Sequence, residues 1–132
     1  MLKTAVINLK RISYSGDSIG DDTRVEVETP NNVVGIDKKI KKGGSVELNT
    51  EIGHFTSNSS FLVVPIIIRV IEKDLVFNDV GTLKENIKIN FNTTTVQKIE
   101  YIVEVREHRG YKTKKIGKFN IVFEISVMDD VI

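Results

Sequence analysis

The residues best placed to do chemistry are three acids near the middle of the chain. Glu72, Asp74 and Asp79 fall within FLVVPIIIRVIEKDLVFNDVGTL, the stretch from Phe61 to Leu83. From Pro65 onward the run alternates. In an extended strand Ile66, Ile68, Val70, Glu72 and Asp74 therefore share one side, and Arg69 and Lys73 the other. If the even side packs on a core, the two carboxylates continue that face where the strand leaves it. An unpaired carboxylate taken out of water is costly, so groups placed there need a partner. Two partners are open: a hard cation held by oxygens, or the chain's own lysines. A second acidic stretch, Asp17, Asp21 and Asp22 in GDSIGDD, comes early in the chain. A basic one, KKIKKGG from Lys38 to Gly44, stands between the two.

Composition bounds what these residues can belong to. A chain of 132 residues, 40% hydrophobic and 28% charged, has the make-up of an ordinary soluble domain, and one domain spanning 1–132 is expected. The net charge of +1 argues against a dedicated nucleic-acid binder. With no cysteine, disulfide frameworks, thiolate metal sites and cysteine nucleophiles are excluded. Met1-Leu2-Lys3-Thr4 leads straight into alternating sequence, and Phe61–Ile68 is too short to span a bilayer, so a cytoplasmic location is expected. The sequon-like triplets at Asn58 and Asn92 are of a kind that arises often by chance. His54 and His108 lie far apart, with no nucleophile or carboxylate at a recognisable spacing, and Gly43-Gly44 reads as a hairpin turn. No enzyme and no small-molecule substrate are expected.

The elements that must position the acids are strands. Val, Ile, Thr, Phe and Tyr dominate the periodic segments, and turn residues interrupt them at strand-like intervals. The spacing predicts strands at Thr4–Ser15, Thr23–Thr29, Val33–Ile40 and Ser45–Thr56, then the strand that opens at Phe61, then Thr82–Asn92, Val96–His108 and Lys115–Met128. In the first strand the apolar parity slips from Ala5, Ile7 and Leu9 to Ile12 and Tyr14, which predicts a bulge. Pro65 has no N–H to give, so it belongs at an edge, a bulge or a strand's start. A helix is the alternative only at Val96–His108, where the β-branched run argues against it. Eight strands with one apolar face each predict an all-β fold, an antiparallel eight-stranded β-sandwich. Because successive antiparallel strands reverse direction, the loops after strands one, three, five and seven gather at one end. Two acidic loops then flank the basic one.

Two blocks of the chain resemble a known family. Ala5–Val27, AVINLKRISYSGDSIGDDTRVEV, looks like the opening strand, first loop and second strand of a C2 domain. Asp17 stands where the family has an aspartate after the first strand, and Asp22-Thr23-Arg24-Val25-Glu26-Val27 matches its D-x-x-V-x-V. Ile66–Leu83 is similar to the family's later block, an apolar strand running into D-x-D and then D-x-x-G. Here that block reads Glu72-Lys73-Asp74 and Asn78-Asp79-Val80-Gly81. Starting directly at this strand is similar to the family's circularly permuted, type II order of a C2-like Greek key. Glu72 replaces the usual Asp, and Asp-Thr-Arg replaces the family's Asp-Pro-Tyr.

The resemblance implies a non-catalytic module that binds calcium and docks to an anionic membrane surface or a protein through these loops. The implied metal ligands are Asp17, Asp22, Glu72, Asp74 and Asp79, with loop carbonyls completing the roughly six to eight oxygens that calcium takes. The implied contact residues are the apolar tips Ile19, Val76 and Phe77 and the basic Lys39, Lys41 and Lys42, which would meet anionic head groups. Each has a plainer counterpart. Lys38, Lys39, Lys41, Lys42 and Lys73 would neutralise the same carboxylates in a metal-free structural or protein-interaction domain, and Val76 or Phe77 would fold back over the sandwich end. A carbohydrate-binding sandwich is less well supported, because tryptophan is absent and Tyr14, Tyr101 and Tyr111 are scattered.

Overall fold

A computed structural model describes residues 1–129 and contains eight strands: β1 (Lys3–Gly16), β2 (Asp22–Glu28), β3 (Val33–Lys39), β4 (Ser45–Ser57), β5 (Phe61–Glu72), β6 (Asp79–Asn90), β7 (Gln97–His108) and β8 (Lys112–Asp129). They form two four-stranded antiparallel sheets, ordered β4-β1-β8-β7 and β3-β2-β5-β6. This is the eight-stranded sandwich the alternation predicts, and β7 is a strand, not a helix. Three connections are hairpins within a sheet. The other four cross between sheets, which brings β1 beside both β4 and β8.

The core is the set of inward positions read from the sequence. Ala5, Ile7, Leu9, Ile12 and Tyr14 of β1 face Val25 and Val27 of β2 and Ile66, Ile68 and Val70 of β5, with Phe119, Ile121, Phe123 and Ile125 of β8 closing the layer. The parity slip in β1 is a bulge: its register against both β4 and β8 shifts between Leu9 and Arg11. That insertion re-aims Tyr14 inward, where its ring stacks on Phe119 at 4.4 Å between centroids. Along the other side the sheets close at β6 and β7, so tightly that a Cβ on Gly81 would strike the Glu104 carbonyl. Pro65 lies inside β5, yet β2 pairs only from Ile67 onward, so Pro65 sits in the half of β5 with a neighbour on one side alone. The expectation of an edge position is met locally.

Candidate functional site

The loops after β1, β3, β5 and β7 lie at one end, where Asp22 pairs with Lys39, Thr23 with Glu72, Glu72 with Asp79, and His108 with Lys112. Inward parity places Thr23, Glu72 and Asp79 in one row across the inner face of their sheet, and Glu107 points inward from the opposite sheet. Glu72 is 3% exposed, Asp79 1% and Thr23 1%. Gly20 of the β1–β2 loop closes over Glu72 so closely that any Cβ there would meet the carboxylate, and its backbone, at φ 139°, takes a conformation suited to glycine.

These buried acids are unequally provided for. One Asp79 oxygen accepts the His108 N–H at 2.5 Å, and the His108 ring nitrogen Nδ1 stands 3.9 Å from the same oxygen. Glu107 is paired with Arg109 at 3.4 Å. Glu72 has no hydrogen bond or ion pair among the described residues. Its neighbour Lys73 turns outward to Asp37 at 2.8 Å. Burial first, and then the charges of Asp79, Asp74, Asp22 and Asp21, push the Glu72 carboxyl up to about 7. Burial also raises Asp79, against the opposing pull of the His108 N–H. Beside Glu72 the buried Thr23 hydroxyl likewise has no hydrogen-bond partner among the described residues. Two clefts of about 450 Å³ open at this point; Glu72, Gly20 and Lys73 line both, with Lys39 at one and Arg109 and Lys115 at the other. The end of the sandwich thus holds a buried carboxyl in no ion pair among the described residues and an idle hydroxyl beside it, oxygen donors of the kind a hard cation takes.

Some expected roles change. Asp79 opens β6 and is buried, not part of the loop. Asp74 does not continue the face of Glu72, because β5 ends at Glu72 and Asp74 is exposed; its carboxylate accepts the Leu75 N–H at 2.6 Å. Asp17 reaches across to β8, where Oδ2 accepts the Ile116 N–H at 2.9 Å, while Asp22 is exposed at the mouth of a cleft. Among the described residues no three His, Cys, Asp or Glu side chains already stand in a metal-gripping arrangement. The lysine alternative fares no better, since Lys73 is engaged with Asp37, and Lys38, Lys39, Lys41 and Lys42 are exposed and in no ion pair among the described residues.

Ile19 needs correction as a contact residue. It is 6% exposed and packs against Gly117 and the core, and its N–H donates to the Tyr14 hydroxyl at 2.6 Å. The reason is the short β1–β2 loop: pinned at both ends to β8 and β3, it turns its one apolar side chain inward. The tip of the β5–β6 loop does the opposite. Leu75 is fully exposed and Val76 is 77% exposed, while Phe77 rests one edge against Gly110 of the β7–β8 loop. Lys39, Lys41 and Lys42 are exposed at the same end. Thr23 and Glu107 were overlooked, although both extend an apolar alternation: Val27, Val25, Thr23 in β2 and Val103, Val105, Glu107 in β7.

Fold and site together define an antiparallel β-sandwich with, at one end, an apolar tip and a buried acid that has no partner among the described residues. No known family model matches the chain, and no curated protein matches it.

Proposed function

We propose that the chain is a non-catalytic binding module, C2-like in its loop motifs, that docks an anionic membrane surface through the loops after β1, β3 and β5 once calcium binds beside Glu72. One observation carries this reading: Glu72 is buried near four other acids, and among the described residues no cation is paired to it. Such a carboxylate is costly in a finished fold and favourable beside a divalent ion. Glu72, Asp22 and Asp74 would hold the ion, with Asp17 and Asp79 contributing whichever oxygen the backbone amides leave free. The ion would supply positive charge that draws phosphate oxygens to the loop end. Leu75 and Val76 would enter the acyl boundary, and Lys39, Lys41 and Lys42 would meet head groups.

A second reading has its own support. Asp17 and Asp79 are each satisfied by a backbone N–H of another strand, as expected of acids that serve the fold alone. The chain would then be a metal-free protein-interaction domain, with the exposed tip as its contact. Thermal melts in EDTA, calcium and magnesium separate the two. A ligand bound only to the folded state at a hundredfold excess over its dissociation constant adds about 2.7 kcal/mol, enough to move the midpoint by several degrees. A rise with calcium and not magnesium, followed by calcium-dependent pelleting with anionic vesicles, supports the first reading. No rise overturns it in favour of the second.

A further inference from the structure

The loop end leaves one part of β5 unexplained. A strand covered on both faces reads as a continuous apolar run, whereas one with a wet face alternates. β5 begins as such a run, and its even positions account for only one face. The outward row is Phe61, Val63, Pro65, Ile67, Arg69 and Ile71, with five of six members apolar. The Lys88 ammonium covers the Phe61 ring at 4.2 Å, Val63 and Pro65 are exposed, and Ile67 and Ile71 are half-buried. Val63 is 56% exposed; Val80, outward on the flanking β6, is 51% exposed, and Val33, outward on β3 beyond β2, is 55% exposed. An apolar stripe of this kind on an otherwise polar sheet marks an interface.

The flanks of the stripe indicate what covers it. Register aligns Val33, Glu28, Ile67 and Lys84 in one row across the outer face. The β2 side of the stripe carries Arg24, which is held by Glu26 and Asp37, then Glu26 and Glu28; the β6 side carries Lys84 and Lys88. Glu28 gives one oxygen to Arg69 at 3.2 Å and keeps the other. Now consider a second copy laid face to face, with a twofold axis parallel to β5. Heights along the strand are preserved and the flanks exchange, so each Lys84 stands over the other copy's Glu28 while Val63, Pro65, Ile67 and Arg69 meet their own counterparts, each Arg69 drawn sideways to the Glu28 of its own copy. An axis perpendicular to the strands would instead lay β6 on β6 and β2 on β2, so Lys84 would not stand over Glu28. We propose that the outer face of the β3-β2-β5-β6 sheet is a self-complementary homodimer interface, with the β5 stripes packed together and the Lys84–Glu28 pairs closing both sides. The packing is aligned, within the roughly 30° at which twisted sheets stack. Such a contact is isologous and stops at two copies.

Sedimentation equilibrium of the full chain in EDTA tests this apart from any metal. The expected result is a monomer–dimer equilibrium in the micromolar to sub-millimolar range. Val63→Glu, which places like charges face to face at an exposed position, is expected to weaken dimerisation at least tenfold without moving the thermal midpoint of the monomer. Lys84→Glu is expected to weaken it severalfold, and Lys84→Glu with Glu28→Lys to recover most of that loss. A monomer at every concentration overturns the proposal, as do species larger than dimers, a Val63→Glu variant that still dimerises, or a charge swap that recovers nothing. Calcium dependence of the melts has no bearing on these outcomes, so this interface and the loop-end reading fail separately.

Discussion

Replacing Glu72 with glutamine isolates the feature on which the functional reading rests. Gln has nearly the same shape and removes only the charge. The sign follows from linkage. The folded carboxyl is raised to about 7 from the ordinary 4.5, so the folded state binds more protons than the unfolded state between those values. The contribution of Glu72 to stability is therefore fully present below about pH 4.5 and is lost as pH rises through about 7. At roughly 1.36 kcal/mol per tenfold change in proton affinity, the raised value corresponds to on the order of 3 kcal/mol at pH 8. In EDTA at pH 8, Glu72→Gln is expected to be more stable than the parent by about 1–3 kcal/mol, a rise in midpoint of several degrees. At pH 5 the two should differ little, so the variant should have the flatter stability profile.

Urea denaturation at a series of pH values, with chelator throughout, reads the difference directly. Asp79 is also raised and tilts both profiles the same way, so the comparison of parent with variant is the informative quantity. If Glu72→Gln is less stable than the parent at pH 8 without metal, the carboxylate is compensated by a cation of the chain, and the reasoning is wrong. Calcium gives the converse measurement. It should raise the parent's midpoint and leave the variant's nearly unchanged, because the acid on which the proposed site rests has lost its charge.

Three further outcomes follow from the same geometry. Tyr14→Phe removes the acceptor of the buried Ile19 N–H and should cost about 1–3 kcal/mol in urea denaturation, loosening the β1–β2 loop; a cost near zero would mean that water replaces the phenol. Gly20→Ala should destabilise by a similar amount, since the new methyl group meets the Glu72 carboxylate, and pairing it with Glu72→Ser should recover part of the loss as a measured coupling energy. Pro65→Val restores an N–H on the half-bare stretch of β5 within an eight-residue apolar run, and should leave the melt nearly unchanged while speeding thioflavin-positive aggregation.

Most of the fold was legible because one rule, inward parity with period two, governs every strand. It located the β1 bulge from the slip between Leu9 and Ile12, and it placed Glu72 on the core side. It failed where a strand ended sooner or began earlier than the pattern implied. Asp74 has the parity of Glu72, but β5 stops between them, and Asp79 belongs to β6 three residues before the alternation of that strand becomes visible. Strand ends are set by pairing partners distant in sequence, here Thr23 and Asp79 opposite Glu72, and parity carries no record of them. Ile19 was misplaced for a related reason. A loop hydrophobe points wherever its anchors turn it, and those anchors are contacts to Tyr14, Ile116 and Asp21's partner Ile40 across the sandwich end.

The departures from simple pattern that remain fall largely on β5. Its inner row runs apolar through Val70 and then buries an acid; its outer row stays apolar where a wet face should turn polar. Folding alone favours neither. An isosteric amide would serve the inner position at less cost, and a threonine or lysine would serve the outer ones while guarding against aggregation. Places where a sequence breaks its own pattern without a compensating contact inside the fold are where contacts outside it are to be sought. On the two proposals above, the contact Glu72 lacks is a cation and the contact the β5 stripe lacks is another apolar face. The two sites lie on opposite faces of one strand, so occupation of either would order β5 from Pro65 to Glu72. Hydrogen exchange along β5, measured with calcium and with increasing protein concentration, should therefore slow in both cases. Calcium should protect the Glu72 end most, and dimerisation the stretch around Val63.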